Sequence, residues 1–414
     1  MLSLLDISAL LLVVSALFGW LNERFIRLPH TIAMLVMALG ASLAVLALDA
    51  LLPGMQVGEA FAGIVGQVDF FETLMHGMLA FLLFAGAMHV DIGLLRDEKW
   101  AVGLMASLGV VISTAIVGFG FFFLARWLGV DIALAWALVF GALISPTDPV
   151  AVLSLLKSVR VPESLEVKIA GESLFNDGVG IVVFTVLVAI AAGGGELQAI
   201  EIGEIFLLEA GGGVLLGLAG GWAAVRLMRS IDDYAMEILI TLALVTGLYA
   251  MALALHMSGP IAVVVAGLVV GNRGQRMAMS EETKGYLFRF WEVVDELLNS
   301  VLFLLIGLEV VIIAIDPSLA GLAVASIPLV LMARFVAVLV PITLLSLKRT
   351  FTAGSIPVLT WGGVRGGISV ALALSLPASA AKDPILVATY VVVVFSVVVQ
   401  GLTIGGLVRR VVFR

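Results

Sequence analysis

The sequence has no cysteine among its 414 residues. Disulfides and thiolate metal sites are therefore excluded, while the compartment stays open. Charge is scarce as well: Asp, Glu, Lys and Arg make up 13% of the chain, against about 25% in an ordinary soluble domain. There are four histidines, His30, His76, His89 and His256, and they are scattered, so no imidazole-rich metal site is expected. No basic residue precedes the first apolar stretch, and no signal-peptide cleavage pattern follows it. That stretch reads as a retained helix. Low-complexity tracts are absent, and no soluble domain is expected after the last apolar segment. What is present is hydrophobic sequence, 62% of the chain, which places it in the membrane class.

A membrane helix needs about 20 mostly apolar residues. Thirteen candidate spans follow, at roughly 4–22, 31–48, 73–95, 101–126, 132–156, 166–192, 203–228, 237–256, 258–271, 287–315, 319–346, 354–377 and 385–410. The distribution of Lys and Arg tests this count. With the amino end outside, eighteen basic residues fall on the cytoplasmic side, from Arg24 and Arg27 through Lys157, Arg160, Lys168, Lys348 and Arg349 to Arg414. Only Arg126 and Lys382 fall outside, and Arg334 and Arg365 lie within spans. A miscounted helix would invert every later loop and destroy this asymmetry. The expected topology is amino end out, carboxyl end in. The outer loop 49–72 carries Asp49, Glu59, Asp69 and Glu72 and no Lys or Arg. It reads as a solvated loop, with concentration of cations as a second role.

The third and tenth spans share a pattern. FLLFAGAMH (81–89) and FLLIGLE (303–309, with Leu302 before it) both run from an apolar block through glycine to a polar residue, His89 or Glu309. If spans one to six match eight to thirteen, seven helices separate equivalents, and the halves must be inverted. Inverted repeats are a plan of secondary transporters. The fifth span contains ISPTDPVAV (144–152), in which Pro146 and Pro149 interrupt the helix around Thr147 and Asp148. The equivalent twelfth span contains WGGVRGGIS (361–369), with four glycines around Arg365. Paired interruptions of this kind point to an ion or substrate site near the midplane. The expected fold is thus an all-α polytopic membrane protein with two unwound, crossing helices.

A charge near the bilayer centre costs at least about 2.5–3.5 kcal/mol on insertion scales. Asp148, Glu172, Asp177, Arg334 and Arg365 all fall there, and Glu309 is a further candidate. Glu172 and Asn176 are spaced i, i+4, as are Ser173 and Asp177, giving two adjacent stripes on one helix. Glu172 is expected to pair with an arginine, Arg334 being favoured over Arg365, with Asn176 as a hydrogen-bonding neighbour of that clasp. Asp177 is left without a fixed counter-charge, and Ser173, Thr147 and Asp148 offer further oxygens. An oxygen-only site suits a proton or a hard alkali cation. One carboxylate that holds either, but not both, is the minimum for exchange. The group Glu292, Asp295 and Glu296 reads as acids stabilising the start of the tenth helix, His89 as a capping or interfacial residue, and Glu309 as a structural hydrogen-bonding group.

The segments SPTDPVAVLSLL (145–156), GESLFNDGVGIVVF (171–184), LMARFVAV (331–338) and WGGVRGGISVAL (361–372) resemble those of NhaP-type sodium/proton antiporters. These belong to the monovalent cation:proton antiporter-1 family, which includes the animal sodium/proton exchangers. The resemblance runs in order along nearly the whole chain. It implies a homodimer embedded in membrane lipid, in the bacterial inner membrane. It implies a six-helix core of two crossing broken helices, assigned to roughly 73–192 and 287–410, and dimerisation helices at roughly 1–48 and 203–271. Transport would follow an elevator-like movement of the core.

By the same resemblance the ion-binding aspartate falls on Asp177, the accessory oxygens on Thr147, Asp148 and Ser173, and the structural acid on Glu172, with Asn176, Arg334 and Arg365 in support. An Asn–Asp pair in place of two aspartates implies electroneutral one-for-one exchange. Na⁺ is the expected cation, with Li⁺ or K⁺ as alternatives, and no cofactor or nucleic-acid partner is expected. Two departures stand out: the long cytoplasmic regulatory region of the animal exchangers has no counterpart, and Met88 and His89 stand where some relatives have an acid. Two other functions compete. One is proton-coupled uptake of a small organic solute, which would call for aromatic or amide contacts. The other is an intramembrane aspartyl protease using Asp148 and Asp177, although Asp148 lies between prolines.

Overall fold

The computed structural model describes residues 3–52, 57–150, 152–153, 156, 161–193, 207–313, 317–347, 351–352 and 354–412. Lys157, Arg160, Lys348, Arg349 and Arg414, the first residues of the seventh span, the last two of the tenth and part of the second half of the fifth lie outside them. Among the described residues every regular element is helical. The long helices are α1 (Leu4–Leu21), α2 (His30–Leu51), α4 (Phe70–Met88), α5 (Ile92–Trp127), α7 (Glu163–Ala191), α8 (Leu207–Met228), α9 (Tyr234–Ala254), α11 (Glu281–Glu309), α12 (Ala320–Ser346) and α15 (Lys382–Val411). Shorter are α3 (Val57–Val65), α6 (Leu134–Leu143), α10 (Gly259–Val269), α13 (Ser355–Trp361) and α14 (Gly367–Leu374). Nine helices among the described residues are long and apolar enough to cross a membrane.

Helix α10 is buried at every position from Gly259 to Leu268, consistent with its all-round apolar sequence. It packs on α8 through Gly213, Gly217 and Gly221, where an added Cβ would run into Ser258, Ala262 or Val269 at or within α10. Small residues four apart let two helix backbones approach where lipid offers no hydrophobic drive. On its other side α10 meets α4, and α2 lies along α11. A second group of contacts joins α5, α6, α7, α12 and α15.

Both expected interruptions are present. Helix α6 ends at Leu143, and helix resumes at Val150. Helix α13 ends at Trp361, and α14 begins at Gly367. The backbone N–H of Asp148 donates to the carbonyl of Val364 at 2.7 Å, so the two unwound segments are joined where they cross. The pairing gives exposed backbone groups a partner inside the protein, which the bilayer cannot supply.

Three features differ from the sequence expectation. The third span ends at Met88, not near 95, and a new helix starts at Ile92 because Asp91 accepts hydrogen bonds from the N–H groups of Gly93 and Leu94. The tenth helix begins at Glu281, where Ser280 and Thr283 cap each other reciprocally, and ends at Glu309. Glu292, Asp295 and Glu296 therefore stand well inside the helix and do not stabilise its start. Lys168, counted with the loops, is instead buried in α7, with its Nζ 2.8 Å from Glu98 Oε1.

Candidate ion site at the helix crossing

Residues 144–149 and 362–366 expose four half-helix ends to one another in the interior. Each carbonyl end carries about half a negative charge and each N–H end about half a positive one. The chain answers each with a side chain. Arg365, from the second break, donates Nη1–H to the carbonyls of Ser145 and Pro146, the latter at 2.9 Å, and so caps the carbonyl end of α6. Arg334, from α12, donates Nε–H and Nη2–H to the Leu359 carbonyl at 3.2 and 3.0 Å, and so caps α13. The Asp148 carboxylate accepts the Val150 N–H at 2.9 Å, at the start of the second half of its own helix. It also lies against Gly366, where a Cβ would overlap it, at the start of α14.

Glu172 on α7 faces Arg334. Its Oε2 accepts Nη2–H at 2.8 Å and its Oε1 accepts Nη1–H, a bidentate clasp buried on both sides. Of the two arginines left open by the sequence, Arg334 is thus the partner. Asn176 does not join this clasp. Its Nδ2 donates to Thr147 Oγ1 at 2.9 Å, and its Oδ1 accepts the Thr147 N–H at 3.3 Å. The proline-broken segment takes Thr147 out of any helical ladder, and the amide replaces the missing partners. Ser173, one turn earlier, donates its hydroxyl to the Thr147 carbonyl. Two side chains of α7 therefore grip one residue of the break.

Asp177 completes the α7 stripe. It is 6% exposed. Among the described residues, none donates a hydrogen bond to its carboxylate or pairs with it. The charges around it balance in a simple way. Arg334 and Arg365 offset Glu172 and two carbonyl ends; Asp148 offsets two N–H ends; Asp177 remains.

Thr147, Asp148, Ser173, Asp177 and Ser369 line one cavity of about 730 Å³, which also reaches His30, His89, Asp91, Glu163, Glu166, Glu292, Asp295 and Glu296. Asp91, Glu163, Glu292 and Glu296 are exposed, so the cavity opens at that end through an acidic rim. Its described lining contains leucines but no Phe, Tyr or Trp. His89 caps α4, with Nδ1 2.8 Å from the Ala85 carbonyl, and its ring meets Phe288 edge-on.

One contributor went unnoticed in the sequence. Ser396 Oγ accepts the Arg365 N–H at 2.9 Å and donates to Gln400 Oε1 at 2.6 Å, fixing the second break from α15. A serine followed by a glutamine four residues on, within VVVVFSVVVQ (391–400), was the available signal.

The sodium/hydrogen exchanger transmembrane family model matches residues 11–410. The chain belongs to that family. It is 45% identical over 413 residues to the Na⁺/H⁺ antiporter NhaP of Pseudomonas aeruginosa, covering 99% of this chain and 97% of that protein. It is 35% identical over 395 residues to the Na⁺/H⁺ antiporter NhaH of Halobacillus dabanensis, covering 94% and 93%. The sodium proton antiporter MjNhaP1 of Methanocaldococcus jannaschii, solved at pH 8, shares the fold with TM-score 0.71 over 98% of both chains at 20% identity. As a member of the exchanger family, the chain is an integral membrane protein.

Proposed function

We propose that this exchanger-family protein is a secondary antiporter that trades one Na⁺, or another alkali cation, for one H⁺ at Asp177. The carrying observation is the lone carboxylate of Asp177, buried at the crossing and facing an open cavity, with no counter-charge among the described residues. A buried carboxylate must be neutralised or compensated. A proton or an alkali cation each suffices, and the two compete for the same oxygens. Because the other charges of the crossing balance with the helix ends, a single positive charge restores neutrality, which favours one-for-one exchange.

The roles divide accordingly. Ser173 and Thr147 offer hydroxyl oxygens beside Asp177, and Asp148 offers the carboxylate oxygen not engaged by Val150. Asn176 holds the unwound segment in reach. Glu172 and Arg334 tie α7 to α12 and have no part in cation binding. The cavity's acidic rim raises the local cation concentration. It opens toward the loops rich in Lys and Arg, so this conformation is read as facing the cytoplasm, with the amino end outside. Elevator-like movement of the core, roughly residues 73–192 and 287–410, within a homodimer would carry the site to the other face. A described cavity lining without Phe, Tyr or Trp weighs against uptake of an organic solute.

The test uses proteoliposomes with an imposed pH gradient and a fluorescent proton indicator. Adding NaCl, KCl or LiCl is expected to collapse the gradient for at least one cation, at a rate unchanged by a clamped membrane potential. No response to any alkali ion would defeat the exchange reading, and a clear voltage dependence would defeat the one-for-one stoichiometry.

A further inference from the structure

We propose that Glu309 and Asp69 form an admission site for a monovalent alkali cation on the face opposite the open cavity; this rests on the exchange reading above. Glu309 is the last residue of α11 and is 5% exposed. Among the described residues no group donates a hydrogen bond to its carboxylate or pairs with it. The neighbouring Tyr390 hydroxyl is directed elsewhere, donating to the Ile306 carbonyl at 2.8 Å. Glu172, buried to the same degree, has its arginine. Glu309 thus repeats the condition of Asp177: a carboxylate in the protein interior that needs a cation or a proton from outside the protein.

Asp69 lies on the segment that meets the end of α11: a Cβ at Gly66, three residues before it, would contact Ile312, three residues after Glu309. Asp69 is exposed, and among the described residues only its Oδ1 is engaged, accepting the Glu72 N–H at 2.9 Å. The pair therefore spans the step from water to interior, the exposed acid first and the buried acid behind it.

The position relative to the crossing follows from α11 and α14. Leu302 of α11 touches Gly367, the first residue of α14. Glu309 lies seven residues further along α11 than Leu302, two helical turns or about 10 Å. The segment Phe70–Glu72, directly after Asp69, packs on α14. A cation leaving Glu309 can therefore follow α14 to the crossing. The inverted repeat gives the same placement. Aligning Gly86 with Gly307 brings Met88 onto Glu309, the last residues of α4 and α11. The end of α4 lines the open cavity through Gly86, His89 and Val90. The end of α11, its inverted counterpart, belongs to the opposite route, and Glu309 has no place in the open cavity's lining.

The experiment measures the Na⁺ KM separately from each face, in sealed vesicles of both orientations. Glu309→Gln is expected to raise the KM on the face opposite the cavity at least about fivefold, since loss of one nearby charge at intermediate dielectric is worth more than about 1 kcal/mol. On the cavity face the KM should stay within about twofold, and the maximal rate should be retained. Glu309→Asp should keep most of the wild-type KM. Asp69→Asn should shift the same face in the same direction by less, because exposed charges are screened; its side chain is at the surface and it preserves the cap, so it carries the test if Glu309→Gln does not assemble. Unchanged KM on both faces, or equal shifts on both, with normal wild-type exchange, would overturn this inference alone. Absence of exchange in the wild type would overturn the exchange reading and this inference with it.

Discussion

Arg334→Ala is expected to destabilise the folded protein by about 4–6 kcal/mol. Removing one partner of a buried ion pair costs about 3–5 kcal/mol, because the other charge stays buried and uncompensated. Here the stranded group is Glu172, which is 1% exposed. The same substitution strips the cap from the Leu359 carbonyl, which holds two hydrogen bonds from the guanidinium, and this adds about 1 kcal/mol. Glu172→Gln also breaks the pair, but Arg334 keeps its bonds to Leu359, so the cost should stay near the lower figure. Removing both partners, as Glu172→Gln with Arg334→Ala, leaves no isolated charge and should cost less than the sum of the single changes by about 2–3 kcal/mol.

The assay is the rate of heat inactivation in detergent, followed as loss of monodisperse protein at fixed temperature. Stability that is absent from the unfolding transition state enters that rate at about tenfold per 1.4 kcal/mol. Arg334→Ala should therefore inactivate fastest, Glu172→Gln next, and the double variant slower than additivity requires. Wild-type inactivation of Arg334→Ala, or strict additivity in the double variant, would refute the clasp-and-cap account.

Gly366→Ala should abolish transport, because its Cβ would overlap the Asp148 carboxylate where the two breaks cross; active protein with this change would show that the breaks separate during function. Asn176→Ala should raise the Na⁺ KM severalfold and lower stability by about 1–3 kcal/mol, less than Arg334→Ala, since it leaves Thr147 without its partners but keeps the Glu172–Arg334 pair whole. An unchanged KM would remove Asn176 from the positioning of the site.

The fold was legible where side chains mark the backbone. Pro146, Pro149 and the glycines around Arg365 announced both interruptions, and Glu172 announced a buried counter-charge. The pairing within the site was less legible. Helical spacing placed Asn176 beside Glu172, yet its partners are set by a segment that has no helical spacing at all. The work of Arg365 is done on the carbonyls of Ser145 and Pro146, and backbone carbonyls have no letter in a sequence. The acids Glu292 and Glu296 were misread for another reason. The capping pair Ser280 and Thr283 lies in the polar stretch before the apolar run, so an apolarity criterion started the helix too late.

The most direct measurement of competition at one carboxylate is the number of protons released when Na⁺ binds to the purified protein in weakly buffered detergent solution. Wild type should release about one proton per Na⁺ bound at a pH where the site starts protonated, and Asp177→Asn should release none. Sodium binding without proton release, or undiminished release from Asp177→Asn, would contradict the account.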